Sequence, residues 1–142
     1  MPPNVRFDKV LYLASPVLYA ARRAFDPRMW GARRREFTFE PISNAGIRDL
    51  IARARAIVDI ERTVQSGWTM RSVEALGAGR KLVTTNAAIA GAEFYHPNNI
   101  AVIDRKKPTL PAGFFETPYI APSSAFLRRY SLTGWVDEML GQ

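Results

Sequence analysis

The chain of 142 residues contains no cysteine and a single histidine, His96. The first absence excludes disulfides, thiolate metal sites and thiol nucleophiles. With one imidazole, neither a histidine-rich zinc site nor a Ser-His-Asp triad has the groups it needs, and no metal site is expected. Long apolar runs are also missing. Residues 10–21 form the longest candidate, but Ser15 and Pro16 interrupt it, and it falls short of the roughly 20 residues a spanning helix requires. It lies far from a basic n-region and lacks a clear cleavage site, so it does not read as a signal peptide. There is no internal repeat and no low-complexity tract. The lack of cysteine is compatible with the cytoplasm, the expected compartment.

Arginine, by contrast, is plentiful, and the net charge of +7 is unevenly spread. Residues 1–35 hold eight basic residues (Arg6, Lys9, Arg22, Arg23, Arg28, Arg33, Arg34, Arg35) against Asp8 and Asp26, a net +6. The rest carries twelve basic and eleven acidic residues, a net +1. The chain therefore reads as a basic N-terminal segment, residues 1–36, followed by a nearly neutral domain, residues 37–142. Such a segment is either a solvated arginine-rich linker or a surface for the anionic inner face of a membrane. Nucleic acid ranks last as a partner, because no nucleic-acid-binding motif accompanies the charge.

Within the basic segment, residues 9–14 suggest a strand and Pro16 a helix start. Tyr12, Leu18, Tyr19 and Phe25 need something to pack against, and a second copy of the chain is one such surface. From Phe37 onward the pattern alternates. Residues 37–42 read as a strand, Ser43 as an N-cap, and Ile47, Leu50, Ile51 and Ala54 as the buried stripe of a helix. Further strands are expected at 56–60, 81–85 and 99–104. Apolar strands alternating with helices predict an α/β domain: a Rossmann-like three-layer sandwich around a mostly parallel sheet. Beyond Asp104, Pro108, Pro111, Pro118 and Pro122 imply an irregular surface path pinned by Phe114, Phe115 and Tyr119. A last helix after Ser131 carries Leu132, Trp135, Val136, Met139 and Leu140 on its apolar side.

Residues 65–86 carry the most chemistry. Gln65, Ser66 and Gly67 form a small-residue loop before a helix of about three turns, which a Gly77-Ala78-Gly79 stop closes ahead of the next strand. Bare backbone N–H groups at a helix start attract anions. Arg71 and Glu74 share a helix face, one suited to clamping phosphate and the other to accepting from ribose hydroxyls. Met70, Val73 and Leu76 project from the other side. Because ligands in open parallel sheets bind at the carboxyl ends of the strands, Gln65, Ser66, Gly67, Thr69, Arg71, Asn86 and Glu61 are expected to converge there. Each has a plain alternative. An Arg–Glu pair occurs on ordinary surface helices, Asn86 suits the cap of the following turn, and Asp59 or Glu61 is either a base or a solvated strand end.

The run from Gln65 to Gly77, then Lys81-Leu82-Val83-Thr84-Thr85-Asn86, Phe94-Tyr95-His96-Pro97-Asn98-Asn99-Ile100 and Tyr130-Ser131-Leu132-Thr133-Gly134-Trp135 resemble bacterial capsular polysaccharide and lipopolysaccharide biosynthesis proteins. These are similar to GT-B glycosyltransferases, whose two Rossmann-like domains clasp a nucleotide sugar without needing a metal. The resemblance covers about residues 37–140 and implies the C-terminal, donor-binding half of a hexosyltransferase-type enzyme. It places Glu74 at the second glutamate of the Glu-x7-Glu motif, on the donor ribose, and Gly67, Thr69 and Arg71 beside the diphosphate. The motif's first glutamate falls at Ser66, so the pattern is broken there. It also implies that the catalytic base and the glycan or lipid-linked acceptor belong to an N-terminal half outside these residues, leaving this chain inactive alone. The alternative is a non-catalytic scaffold docked at the inner membrane.

Overall fold

In the computed structural model, which describes residues 6–61 and 67–141, the chain divides into two units, Met1–Arg48 and Asp49–Gln142. Each has its own small parallel sheet.

The first unit is organised by helix α1, Pro16–Phe25. Ser15 caps it by accepting from the Leu18 amide at 3.1 Å, and Pro16 occupies the first turn, where no N–H is needed. Asp26 stops it and starts the next turn, accepting from the Arg28 amide at 3.0 Å. The only buried residue of α1 is Tyr19. Its ring lies 5.3 Å from Phe37 and 6.4 Å from Phe39, and its hydroxyl donates to the Ala32 carbonyl at 2.9 Å. Strands β1, Leu11–Tyr12, and β2, Phe37–Thr38, pair in parallel, Leu11 beside Phe37. The strand expected at 37–42 therefore joins β1 rather than the strands that follow it. The cause is the aromatic trio of Tyr19, Phe37 and Phe39, which ties this segment to α1. Glu36 accepts from the Arg33 amide at 2.9 Å and from Lys9 Nζ at 3.3 Å. The amide bond first, then Lys9, hold its carboxyl below the ordinary value.

Helix α2, Asn44–Arg53, spans the division between the units. Ser43 Oγ accepts from the Gly46 amide at 3.1 Å, the cap the sequence predicts.

In the second unit, β3, Ala56–Asp59, β4, Lys81–Thr84, and β5, Ile100–Val102, form an all-parallel sheet in the order β3-β4-β5. All four residues of β4 are buried. Leu82 points into a core with Ala75, Leu76, Ile89, Phe94, Ile100 and Phe126. Val83 points the other way, onto Ala101 and Phe114. Helix α3, Met70–Gly77, is shorter than expected. Its buried residues are Ser72, Ala75 and Leu76, whereas Met70 is 72% exposed. The inward stripe is thus rotated from the Met70–Val73–Leu76 face the sequence predicts, because the close approach of helix to sheet favours small residues. A Schellman motif closes α3: Gly79, at φ 67°, donates to the Leu76 carbonyl at 3.0 Å and Arg80 to that of Ala75 at 2.8 Å.

The proline-rich return is pinned by polar groups as well as by its aromatics. Lys81 is buried, and its ammonium donates to the Phe114 carbonyl and, at 2.7 Å each, to the Thr117 carbonyl and Oγ1. Burial, with the nearby Arg55 charge, holds the Lys81 pKa below its ordinary value. Asn99 Oδ1 accepts from the Ile120 amide at 2.9 Å while its Nδ2 donates to the Ile120 carbonyl at 2.5 Å. Tyr119 donates to the Leu76 carbonyl at 2.7 Å, and burial raises its phenol pKa. The chain continues through α4, Ser124–Arg129, a helix the proline-rich reading missed, and α5, Leu132–Leu140, which starts after Ser131 as expected and is capped by it. Among the described residues no helix is long and apolar enough to cross a membrane. The fold is thus α/β with two small parallel sheets, a layout compatible with a Rossmann-like arrangement of the second.

Lys81→Met removes the donor to the Thr117 carbonyl and Oγ1 and leaves the Phe114 carbonyl with the Thr117 hydroxyl alone, and a loss of roughly 2–4 kcal/mol is expected in urea unfolding. An unchanged midpoint would mean that water replaces the ammonium. Glu36 supports the fold above its ordinary pKa of 4.5, and this support is lost as pH falls through the lowered folded value. The stability difference between the native chain and Glu36→Gln should therefore shrink below pH 4.5, as read by unfolding midpoints. A pH-independent difference would contradict this.

Candidate functional site

The sheet register sets Asp59 beside Thr84, and Thr84 beside Val102. The chain therefore leaves all three strands at one edge. Three polar ties organise that edge. Thr69 Oγ1 donates to Asp59 Oδ2. Asn86 Nδ2 reaches the Gly67 carbonyl at 3.1 Å. Arg105 donates to the Glu61 carbonyl and lies 3.4 Å from Thr85 Oγ1.

The first tie shapes the start of α3. Thr69 is the N-cap residue by position, yet its side chain makes no capping bond to the helix. The hydroxyl that would satisfy a first-turn amide is turned to Asp59 instead, leaving that turn without a side-chain cap. The Asp59 carboxylate stands beside this positive helix end, a favourable electrostatic position.

Asn86 is buried and fully used. Its Oδ1 accepts from the Ala88 amide at 3.0 Å, its own amide donates to Thr84 Oγ1 at 3.1 Å, and Nδ2 holds Gly67. It caps the 3-10 turn Ala87–Gly91 and latches the loop before α3. The structure thus gives Asn86 a positioning role.

Arg71 and Glu74 do share a face and are exposed, but they bind each other. Arg71 Nη1 lies 2.8 Å from Glu74 Oε2, with side chains 43% and 47% exposed. A pair this open is worth a few tenths of a kcal/mol, so a better partner displaces either member at little cost. Gly67, Thr69 and Asn86 are brought together at the edge, and Arg71 and Glu74 follow on the first turns of α3. Gln65 and Ser66 lie outside the described residues.

Arg105 is the residue that sequence reasoning missed. The signal was the basic run Arg105-Lys106-Lys107 directly after the last strand. Asp104 bends the chain there, its Oδ1 accepting from the Lys106 and Lys107 amides at 2.7 Å each. This turns Arg105 back over the sheet edge.

A hollow of about 310 Å³ lies elsewhere, with Phe94, His96, Asn99 and Phe126 among its walls, and none of the described sequence-predicted site residues lines it. His96 Nδ1 accepts from the Asn98 amide at 3.1 Å, closing the turn before β5. Among the described residues no three of His, Asp and Glu gather as metal ligands would.

The latch gives a direct prediction. Asn86→Ala frees the Gly67 carbonyl and the Ala88 amide, and should cost roughly 1–3 kcal/mol in denaturant unfolding. Hydrogen exchange should rise at Ala88 and in the loop before α3 while β4 stays protected. Unaltered exchange in that loop would show that Asn86 does not hold it. Set against models of known protein families, curated proteins and solved structures, the chain matches none.

Proposed function

We propose that the Asp49–Gln142 unit is the donor-binding half of a GT-B-like glycosyltransferase of bacterial cell-surface polysaccharide assembly. In this reading its sheet and helices are the Rossmann-like three-layer core of that half. The supporting observation is the sheet edge itself: three parallel strands end together beneath an uncapped helix start, with two arginines, Arg71 and Arg105, at or near it. Such an edge suits a diphosphate, and the resemblance of residues 65–86 supplies the nucleotide sugar.

Each group then has a distinct task. Arg71 exchanges its exposed Glu74 partner for a phosphate oxygen, gaining a bidentate, charge-assisted contact. Glu74, released, accepts from vicinal ribose hydroxyls. Arg105 supplies a second positive charge from the loop after β5, at the same edge. Asp59 holds Thr69, and Asn86 holds Gly67, so that the backbone entering α3 is fixed at Gly67 and Thr69. The binding chemistry drawn on here uses no metal. The reacting base and the glycan or lipid-linked acceptor site belong to another domain in this reading, so turnover by these residues alone is not expected. The location consistent with it is cytoplasmic, at the inner membrane face.

Calorimetric titration of the chain with UDP, GDP and their sugar conjugates tests the proposal. Binding of at least one is expected, about tenfold or more weaker in Arg71→Ala and in Arg105→Ala, with unfolding midpoints nearly unchanged in Arg71→Ala. No heat with any of them up to millimolar concentration would overturn it, as would binding indifferent to both substitutions.

A further inference from the structure

Helix α1 is amphipathic in the inverted sense. Its inward side is represented by Tyr19 alone. Val17, Ala20, Ala21, Ala24 and Phe25 fall at the i, i+3, i+4, i+7, i+8 spacing of a single stripe, and all five are exposed. Val17 is 77% and Phe25 87% exposed. Trp30, in the turn that follows, is 63% exposed. In an ordinary surface helix this stripe would be the buried one.

The same unit is rich in cations. Arg22 and Arg23 occupy the last turn of α1. Arg23 is committed to carbonyls of the following turn, including that of Met29 at 3.1 Å. Arg6 is paired with Asp8, Lys9 with Glu36, and Arg34 lies over the Phe39 ring. Among the described residues, Arg22, Arg28, Arg33 and Arg35 have no carboxylate within ion-pair distance.

We propose that this unit docks on an anionic lipid bilayer, with α1 lying in the interfacial plane and its Val17–Phe25 stripe sunk among the acyl chains. The chemistry is that of a short interfacial helix: a narrow apolar stripe for insertion, flanking arginines for lipid phosphates, and an aromatic at the boundary. Size argues against a protein partner. A helix of 10 residues is about 15 Å long, and a stripe of that length is far smaller than the roughly 800 Å² per partner of a stable interface. A second copy set stripe to stripe would also bring two arginine clusters together. Nucleic acid suits the cations but leaves Val17 and the alanines unused. The proposal stands independently of nucleotide binding at the sheet edge.

The test is co-sedimentation of the full chain with phosphatidylcholine vesicles, with and without phosphatidylglycerol. Binding is expected only with the anionic lipid, weakening as salt is raised. The double variant Val17→Ser, Phe25→Ser removes only exposed apolar groups, so its unfolding midpoint should match the native chain while vesicle affinity falls at least tenfold. Arg22→Glu should lower affinity several-fold and reduce the salt dependence. No vesicle binding, or binding that the double variant retains in full, overturns the proposal. So does a concentration-dependent oligomer that the double variant dissolves in the absence of lipid binding, which assigns the stripe to a second copy. Binding to an oligonucleotide but not to vesicles assigns the cations to nucleic acid and likewise overturns it.

Discussion

Strand β4 has no side facing water, and the second unit is built around that constraint. Leu82 and Val83 project to opposite faces, so each face must carry its own cover. One cover is α3, with Phe94 and Phe126 beside it. The other is the irregular return through Phe114, which has no helical ladder of its own and needs another means of attachment. Lys81 provides it, bringing one ammonium to three acceptors of that segment. A buried ammonium is costly unless its donors are satisfied, and here all three are. The charge therefore fixes where the return crosses the sheet, which apolar contact alone does not specify.

Parallel pairing on both sides of β4 has a consequence for chemistry. Every strand ends at the same edge, and each crossover must leave from it. The polar residues collected there fall into two energetic classes. Asn86 and Thr69 make contacts on which the loop path depends, so using them for a ligand would undo the site. Arg71 and Glu74 hold only each other, in the open, and releasing them costs little. Under the proposed function, ligand contact would therefore fall to the exposed pair and to Arg105, with the buried polar groups setting the positions from which those side chains reach.

The parts legible in the sequence are those governed by local rules. Pro16, Ser43 and Ser131 mark helix starts and Gly79 a helix end, because such signals depend on a few consecutive residues. The strands at 56–60, 81–85 and 99–104 follow from apolar runs and are found, each slightly shorter, as β3, β4 and β5. The features that escaped are set by contacts distant in sequence. Phe37 joins Leu11 because Tyr19 claims Phe37 and Phe39, and nothing local distinguishes that from pairing with β3. The inward face of α3 is Ser72–Ala75–Leu76 because the sheet lies close, whereas hydropathy alone favours Met70. Asn86 was legible as a cap, which the Ala88 amide bond shows, but its second bond, to the Gly67 carbonyl nineteen residues away, was not. Arg105 was hidden within a run that reads as solvated charge until Asp104 is seen to bend it.

The distribution of charge follows from the same division of labour. The Asp49–Gln142 unit owes its cohesion to two apolar clusters and needs no net charge. The first unit rests on Tyr19, Leu13 and a two-residue strand pair, and it holds most of the chain's excess positive charge. Self-repulsion among clustered arginines weakens a compact state, and so small a core offers little to offset it. Exposed apolar residues on α1 add to the cost in water. Both costs change sign at an anionic apolar surface, where lipid phosphates neutralise the arginines and acyl chains take up Val17 and Phe25. The features that make this unit a poor free-standing domain are the ones an interfacial helix requires.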